Sequence, residues 1–148
     1  MIPQNIAKPD TILFKSDKKR KIVLEQKKGV KYIGHNESNT SYTCYMLDKI
    51  MSNDLACDYL LCADINQCNK SYFIELKGSD IIHAVEQIDN SISHFQTYIS
   101  QYSVNGRIIL SRINTIELKN VKYLKLKKRI ESLGGSLIQK TRQLEEKI

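Results

Sequence analysis

Residues 57–78 read CDYLLCADINQCNKSYFIELKG. Two apolar runs of strand length, 57–63 and 72–77, enclose a polar, turn-like segment. Side chains alternate along a strand. Phe73, Glu75 and Lys77 therefore share one face of the second run, and Tyr72, Ile74 and Leu76 take the other. On the first run Asp58, Leu60 and Cys62 share a face, with Cys57, Tyr59, Leu61 and Ala63 opposite. If the runs form an antiparallel hairpin around NQCN, a turn centred near Asn66–Gln67 sets Asp58 across from Glu75. Directly opposed Cβ atoms sit about 5 Å apart, and like charges in that position destabilise the pair. A shared divalent cation is the natural compensation, with Lys77 one step further along the same face.

The flanking sequence supplies the rest of the fold. Ile81, Val85, Ile88, Ile92, Phe95, Ile99 and Tyr102 are spaced alternately four and three apart, which predicts a long helix over about 80–102. Ser79 or Asp80 is its expected N-cap. VNGRIILSR returns as a turn and a strand. VKYLKLKKRIESL is a basic amphipathic helix ended by Gly134-Gly135, and SLIQ is a candidate last strand. Upstream, KIVLEQ and VKYIG flank a Lys-Lys-Gly turn and predict a hairpin. YTCYMLD reads as a strand and KIMSNDLA as a turn. Residues 1–21 are expected to be a poorly ordered basic arm. The order predicts one mixed α/β domain over 1–148: a central mixed sheet flanked by helices, with a β-rich N-terminal part.

At 148 residues the chain is large enough for one real core. No apolar run has the length of a membrane span, and the first residues lack the apolar stretch of a secretory signal. The expectation is a cytoplasmic protein with no membrane partner. The net charge of +7 is clustered in residues 15–31 and 119–129. It favours an anionic partner, although a solvated Lys-rich surface gives the same composition. Lys122, Lys125 and Arg129 share one helix face beside the stripe of Leu126, Ile130 and Leu133. With Lys19 and Arg20 from the first cluster, they are the expected nucleic-acid contacts. Cys44, Cys57, Cys62 and Cys68 form no C-x-x-C pair and no zinc-finger spacing. They are expected to be reduced, structural thiols. The absence of G-x-S-x-G, P-loop and H-E-x-x-H motifs leaves hydrolase triads, NTPases and zincins without support.

E-x-K by itself discriminates little, because it occurs four times, at Glu25/Lys27, Glu75/Lys77, Glu117/Lys119 and Glu145/Lys147. Context separates the copies. Only Glu75 has its own apolar strand, an Asp on a preceding apolar strand and a helix directly after. Mg²⁺ takes oxygen ligands in octahedral geometry and keeps several waters. Held by Asp58 and Glu75, it would polarise a phosphate oxygen and help to generate a hydroxide nucleophile. Lys77 would orient the attacking water and neutralise charge on the phosphorus oxygens.

This arrangement resembles the PD-(D/E)XK nuclease superfamily. The resemblance rests on CDYLL, FIELKG and the following helix SDIIHAVEQIDNSI, and spans about 57–112. It implies a restriction endonuclease-like core. The small size resembles stand-alone members such as Holliday junction resolvases. The implied activity is endonucleolytic hydrolysis of DNA, in restriction, repair, recombination or defence against mobile elements. Asp58 and Glu75 would bind Mg²⁺, or Mn²⁺ in its place, and Lys77 would assist the water. A double-strand cut would call for a homodimer. The sequence departs from the family at Cys57, where Pro commonly stands, and in lacking an evident first helix with its extra acid. Glu37 and Asp48 are the candidate replacements. Gln87 falls where the Gln of a Q-x-x-x-Y branch motif would, but Ser91 replaces the Tyr. His83 shares a helix face with Gln87 and is a further candidate for touching substrate. Two rivals remain: a catalytically silent nuclease-fold module that binds nucleic acid or a partner protein of a defence system, and an interaction protein whose basic surface meets an acidic partner.

Overall fold

The computed structural model describes residues 2–27, 29–52, 54–64, 66–77, 80–112 and 119–148, with the backbone alone at Lys27 and Lys77. Along the chain run β1 (Ile12–Asp17), β2 (Lys21–Lys27), β3 (Val30–His35), β4 (Tyr42–Met46), α1 (Leu47–Ile50), β5 (Tyr59–Ala63), β6 (Lys70–Lys77), α2 (Ile81–Phe95), β7 (Ser103–Leu110), α3 (Val121–Ser132), β8 (Leu137–Thr141) and β9 (Gln143–Lys147). The central layer is a six-stranded sheet in the order β1-β4-β5-β6-β7-β8. Its first four strands pair antiparallel and β6, β7 and β8 pair parallel. The mixed α/β architecture expected from the sequence is therefore present. Among the described residues no helix is long and apolar enough to cross a membrane.

Both faces of this sheet are covered. One carries α2 and α3, packed on Leu60, Cys62, Phe73, Val104, Ile108 and Leu110. The other carries a second sheet, β2-β3-β9, packed on Tyr59, Leu61, Tyr72, Ile74 and Ile109. Double coverage explains the sequence pattern. All five residues of β5 are buried, so the run YLLCA shows no alternation of apolar and polar residues. The second sheet has one covered face, and its hairpin alternates as such a sheet should: Ile22 and Leu24 are buried while Val23 is exposed.

The helical stripe is wholly buried, but it outruns its helix. Asp80 caps α2 by accepting from the His83 amide at 2.9 Å; Ser79, the other candidate cap, lies outside the described residues. The helix ends at Phe95, and Ile99 and Tyr102 enter the core from the following turns. The Tyr102 hydroxyl then donates to the Ala63 carbonyl at 2.9 Å.

The N-terminal segment corrects the expectation of an arm. Ile12–Asp17 forms the edge of the main sheet against β4, and Ile2 and Ala7 are buried in the helix-side core. Lysines at 15, 18 and 19 disguise the strand, and charge on an edge is a common guard against unwanted pairing. The expected turn at KIMSNDLA begins as the short helix α1. Strand β9 had no sequence signal because Leu144 is its one buried side chain; the rest of QLEEK looks like a solvated tail.

A buried ion pair pins the second sheet to the first. Arg107 on β7, 4% exposed, donates through Nε to Glu146 Oε1 at 2.7 Å and through Nη1 to the carbonyls of Gly106 and Ser136. Tyr32 donates to the same Glu146 oxygen at 2.9 Å, and burial and the nearby carboxylate push its phenol well above the usual range. Its guanidinium is thereby committed to Glu146 and two main-chain carbonyls. Removing one partner strands a charge in the interior, at a cost of about 3–5 kcal/mol. Glu146→Ala is thus expected to lower the urea midpoint sharply, and Arg107→Met combined with Glu146→Leu to cost much less than the two single changes together.

Candidate active site

The β5–β6 hairpin has the register on which the sequence argument depends. Tyr59 pairs with Ile74, Leu60 with Phe73 and Leu61 with Tyr72. Continued by one step, this sets Asp58 opposite Glu75, where side chain and backbone interlock. The Asp58 amide donates to Glu75 Oε1 at 3.1 Å, and the Leu76 amide donates to Asp58 Oδ2 at 2.8 Å. Glu75 is 2% exposed and Asp58 is half-buried. A carboxylate so deep in a sheet is tolerable only with donors or a cation around it. Of Lys77 the backbone position is described: it pairs with Leu110, two residues beyond the Glu75–Ile108 pair, so its Cα sits on the same face as that of Glu75.

Three side chains of α2 hold the chain that delivers Asp58. Asn90 Nδ2 donates to the Leu55 carbonyl at 2.7 Å, and Gln87 Nε2 to the Ala56 carbonyl at 2.8 Å. The Cys57 amide donates to Ser91 Oγ at 2.9 Å, and that hydroxyl donates onward to the Gln87 carbonyl at 2.7 Å. Three consecutive residues are thus tied to three positions on one side of a helix. On the other side, the Leu47 amide at the start of α1 donates to the Asp58 carbonyl at 3.0 Å. Gln87 and Ser91 hence position backbone, which is a different task from touching substrate. Neither residue's use was legible in the sequence, because the partners are main-chain groups.

The other candidates are dispersed. Asp48 follows Leu47 and is exposed next to this junction, its Oδ1 accepting from the Lys49 amide. His83 is half-buried on the first turn of α2. Glu37 lies elsewhere: it pairs with Lys147 at 3.2 Å, beyond the His35 end of β3. The opposite end of β3, at Lys31, is the end that reaches the Asp58 side of the main sheet, since the Lys31 amide bonds to Arg142 and the Arg142 amide to Leu110. Of the rival E-x-K copies, Glu25 pairs with Lys31 and Glu145 with His35, and Glu117 lies outside the described residues.

The expected DNA-facing row is turned toward its own helix neighbour. Lys122 Nζ reaches Glu86 at 2.6 Å and Arg129 Nη1 reaches Asp89 at 2.6 Å, with Lys125 in the same groove between α2 and α3. Lys122 and Lys125 remain exposed and Arg129 is half-buried, so two of the three expected cations are engaged by acids of α2. Lys19 sits 4.5 Å over the Phe14 ring, and the Arg20 carbonyl accepts from the Asn36 amide. Both lie near the Lys21–His35 pair, at the end of the hairpin away from Asp58.

The four cysteines are free. Burial pushes the Cys57 thiol well up and that of Cys62 to about 12, so at neutral pH they stay protonated and behave as small apolar groups. Among the described residues no three His, Cys, Asp or Glu side chains converge on a metal position. The Asp58–Glu75 pair nevertheless suits Mg²⁺, which is commonly held by one or two carboxylates with water and substrate phosphate completing its shell. No family model, curated protein or solved structure matches the chain.

Removing the Ser91 hydroxyl leaves the Cys57 amide buried without its acceptor, which costs about 1–3 kcal/mol. In Ser91→Ala the Cys57 amide should exchange with solvent at least tenfold faster than in the parent, while amides of β7 exchange at unchanged rates. Equal acceleration in both places would mean that the hydroxyl supports the fold as a whole, and not the 55–57 segment.

Proposed function

We propose that this protein is a Mg²⁺-dependent endonuclease that hydrolyses phosphodiester bonds in DNA, with Mn²⁺ able to replace Mg²⁺. The observation that supports it best is the opposition of Asp58 and Glu75 at the end of the β5–β6 pairing, on the face and at the sheet end where Lys77 follows. Like charges directly opposed destabilise a strand pair, and a divalent cation held by both would offset that. Asp58 and Glu75 would hold the metal, which would supply Lewis-acid polarisation of a phosphate oxygen and acidify a water. Hydrolysis would join a water oxygen to phosphorus and break one ester P–O bond, the departing oxygen taking up a proton. Lys77, as a cation two residues from Glu75, would orient the water and offset charge on the phosphate oxygens. One such site cuts one strand, so cutting both strands would call for two copies of the chain in a symmetric dimer.

The test is incubation of supercoiled plasmid with pure protein and Mg²⁺, with and without EDTA. Cleavage should require the metal. Asp58→Ala, Glu75→Ala and Lys77→Ala should each lower the rate by at least 10²-fold, and combining them should add little, since such groups act as a unit. Glu145→Ala, which changes an exposed pair on the second sheet, should retain the parent rate. An inert parent protein that still binds DNA tightly would instead favour the silent module. A parent whose activity survives Glu75→Ala would remove the assignment.

A further inference from the structure

With Lys122 and Arg129 paired to α2, another set of cations is better placed to meet an anionic substrate. Arg112, Lys140 and Arg142 are exposed, and among the described residues none has an acidic partner. They gather at one end of the main sheet. Lys77 pairs with Leu110 on β7, and Leu110 pairs with Thr141 on β8. Arg112 follows Leu110 by two residues, and Lys140 and Arg142 flank Thr141. Neighbouring strands lie about 4.8 Å apart, so the backbone at Thr141 is about 10 Å from that at Lys77. The three cations therefore rim the end of the sheet that carries Asp58 and Glu75.

Arg142 adds an independent observation. Its φ is 68°, in the left-handed region that side chains other than Gly and Asn seldom adopt. The turn demands this conformation, because the Arg142 amide donates to Leu110 on the main sheet at 2.6 Å while its carbonyl accepts from Lys31 on the second sheet at 2.9 Å. Glycine or asparagine would fit with less strain. An arginine here spends conformational energy on placing a guanidinium at this rim, and such strain gathers where function requires it.

We infer that Arg112, Lys140 and Arg142 form a phosphate-binding rim that seats the backbone of duplex DNA against the Asp58–Glu75 end of the sheet. The inference rests on the nuclease reading for what happens after binding, but not for binding itself. Two guanidinium groups suit phosphate, which they can engage through two parallel N–H bonds. A protein partner fits less well. Among the described residues the exposed large hydrophobics are Leu13, Val23, Val121, Leu124 and Leu133, and none of these belongs to the rim, whereas stable protein interfaces centre on buried apolar or aromatic anchors.

The experiment measures binding of a fluorescent DNA duplex in EDTA, where no cleavage occurs, over a series of salt concentrations. It compares the parent, a rim variant (Arg112→Gln, Lys140→Gln, Arg142→Asn) and a control variant (Lys18→Gln, Lys21→Gln, Lys70→Gln) that removes as many charges at the other end. Asn suits the left-handed turn, so Arg142→Asn alone should melt at or above the parent temperature, which separates lost binding from lost folding. The rim variant should bind at least tenfold more weakly, with the log–log salt slope flattened by about 2 to 3, and the control should stay within threefold. Equal losses in rim and control variants would reduce the effect to net charge and overturn the rim, as would an unchanged rim variant. Plasmid cleavage by the parent separates the two readings. Rim-dependent binding without cleavage retires the nuclease and keeps the rim. Cleavage and binding indifferent to the rim do the reverse.

Discussion

The pairing register of β5 and β6 is the constraint on which the rest of the molecule turns. Side chains alternate between faces, so a slip of one residue would exchange every inward group on one strand. If β5 slipped, Leu60 would leave the helix-side core and Leu61 the sheet-side core, where both are fully buried. Each would enter the opposite core at a place shaped for another side chain, and such misfits cost about 1–3 kcal/mol apiece. With both faces covered, the register has no acceptable alternative. The packing of apolar residues thereby fixes an electrostatic fact: Asp58 and Glu75 stand opposite each other at the end of the ladder.

The two covering layers contribute differently to that end of the sheet. Helix α2 supplies apolar area from Ile81 to Phe95 and directs three polar side chains at residues 55–57, so the strand enters β5 from a fixed position. The second sheet is pinned by Arg107, Glu146 and Tyr32, and its link to the main sheet passes through Arg142, at the rim beside Leu110. Backbone placement around the carboxylate pair is therefore set from both sides by groups that have no part in binding metal.

The hairpin register, the helical stripe and the fold class were legible because each rests on periodicity and burial. Ile88 or Phe73 buries itself for reasons visible in the local pattern. Three features were hidden for identifiable reasons. Strand β1 carries Lys15 and runs straight into Lys18, Lys19 and Arg20, so it looks like a solvated arm. Strand β9 buries one leucine among charges and is recruited by a partner more than a hundred residues away. The row of Lys122, Lys125 and Arg129 was read correctly as one helix face, but its direction depends on Glu86 and Asp89, whose relation to α3 is purely tertiary. The roles of Gln87 and Ser91 were invisible for a similar reason: a side chain that bonds a distant carbonyl or amide leaves no spacing to recognise.

The central claim is that the opposed carboxylates form a divalent cation site. Calorimetric titration of the apo protein with Mn²⁺ tests it without any assumption about substrate. The account predicts one Mn²⁺ per chain in the parent, and no detectable binding after Asp58→Asn or Glu75→Gln, each of which removes a charge while keeping the side chain's shape. Undiminished binding in Glu75→Gln, or a parent that takes up no Mn²⁺ at millimolar concentration, would contradict it.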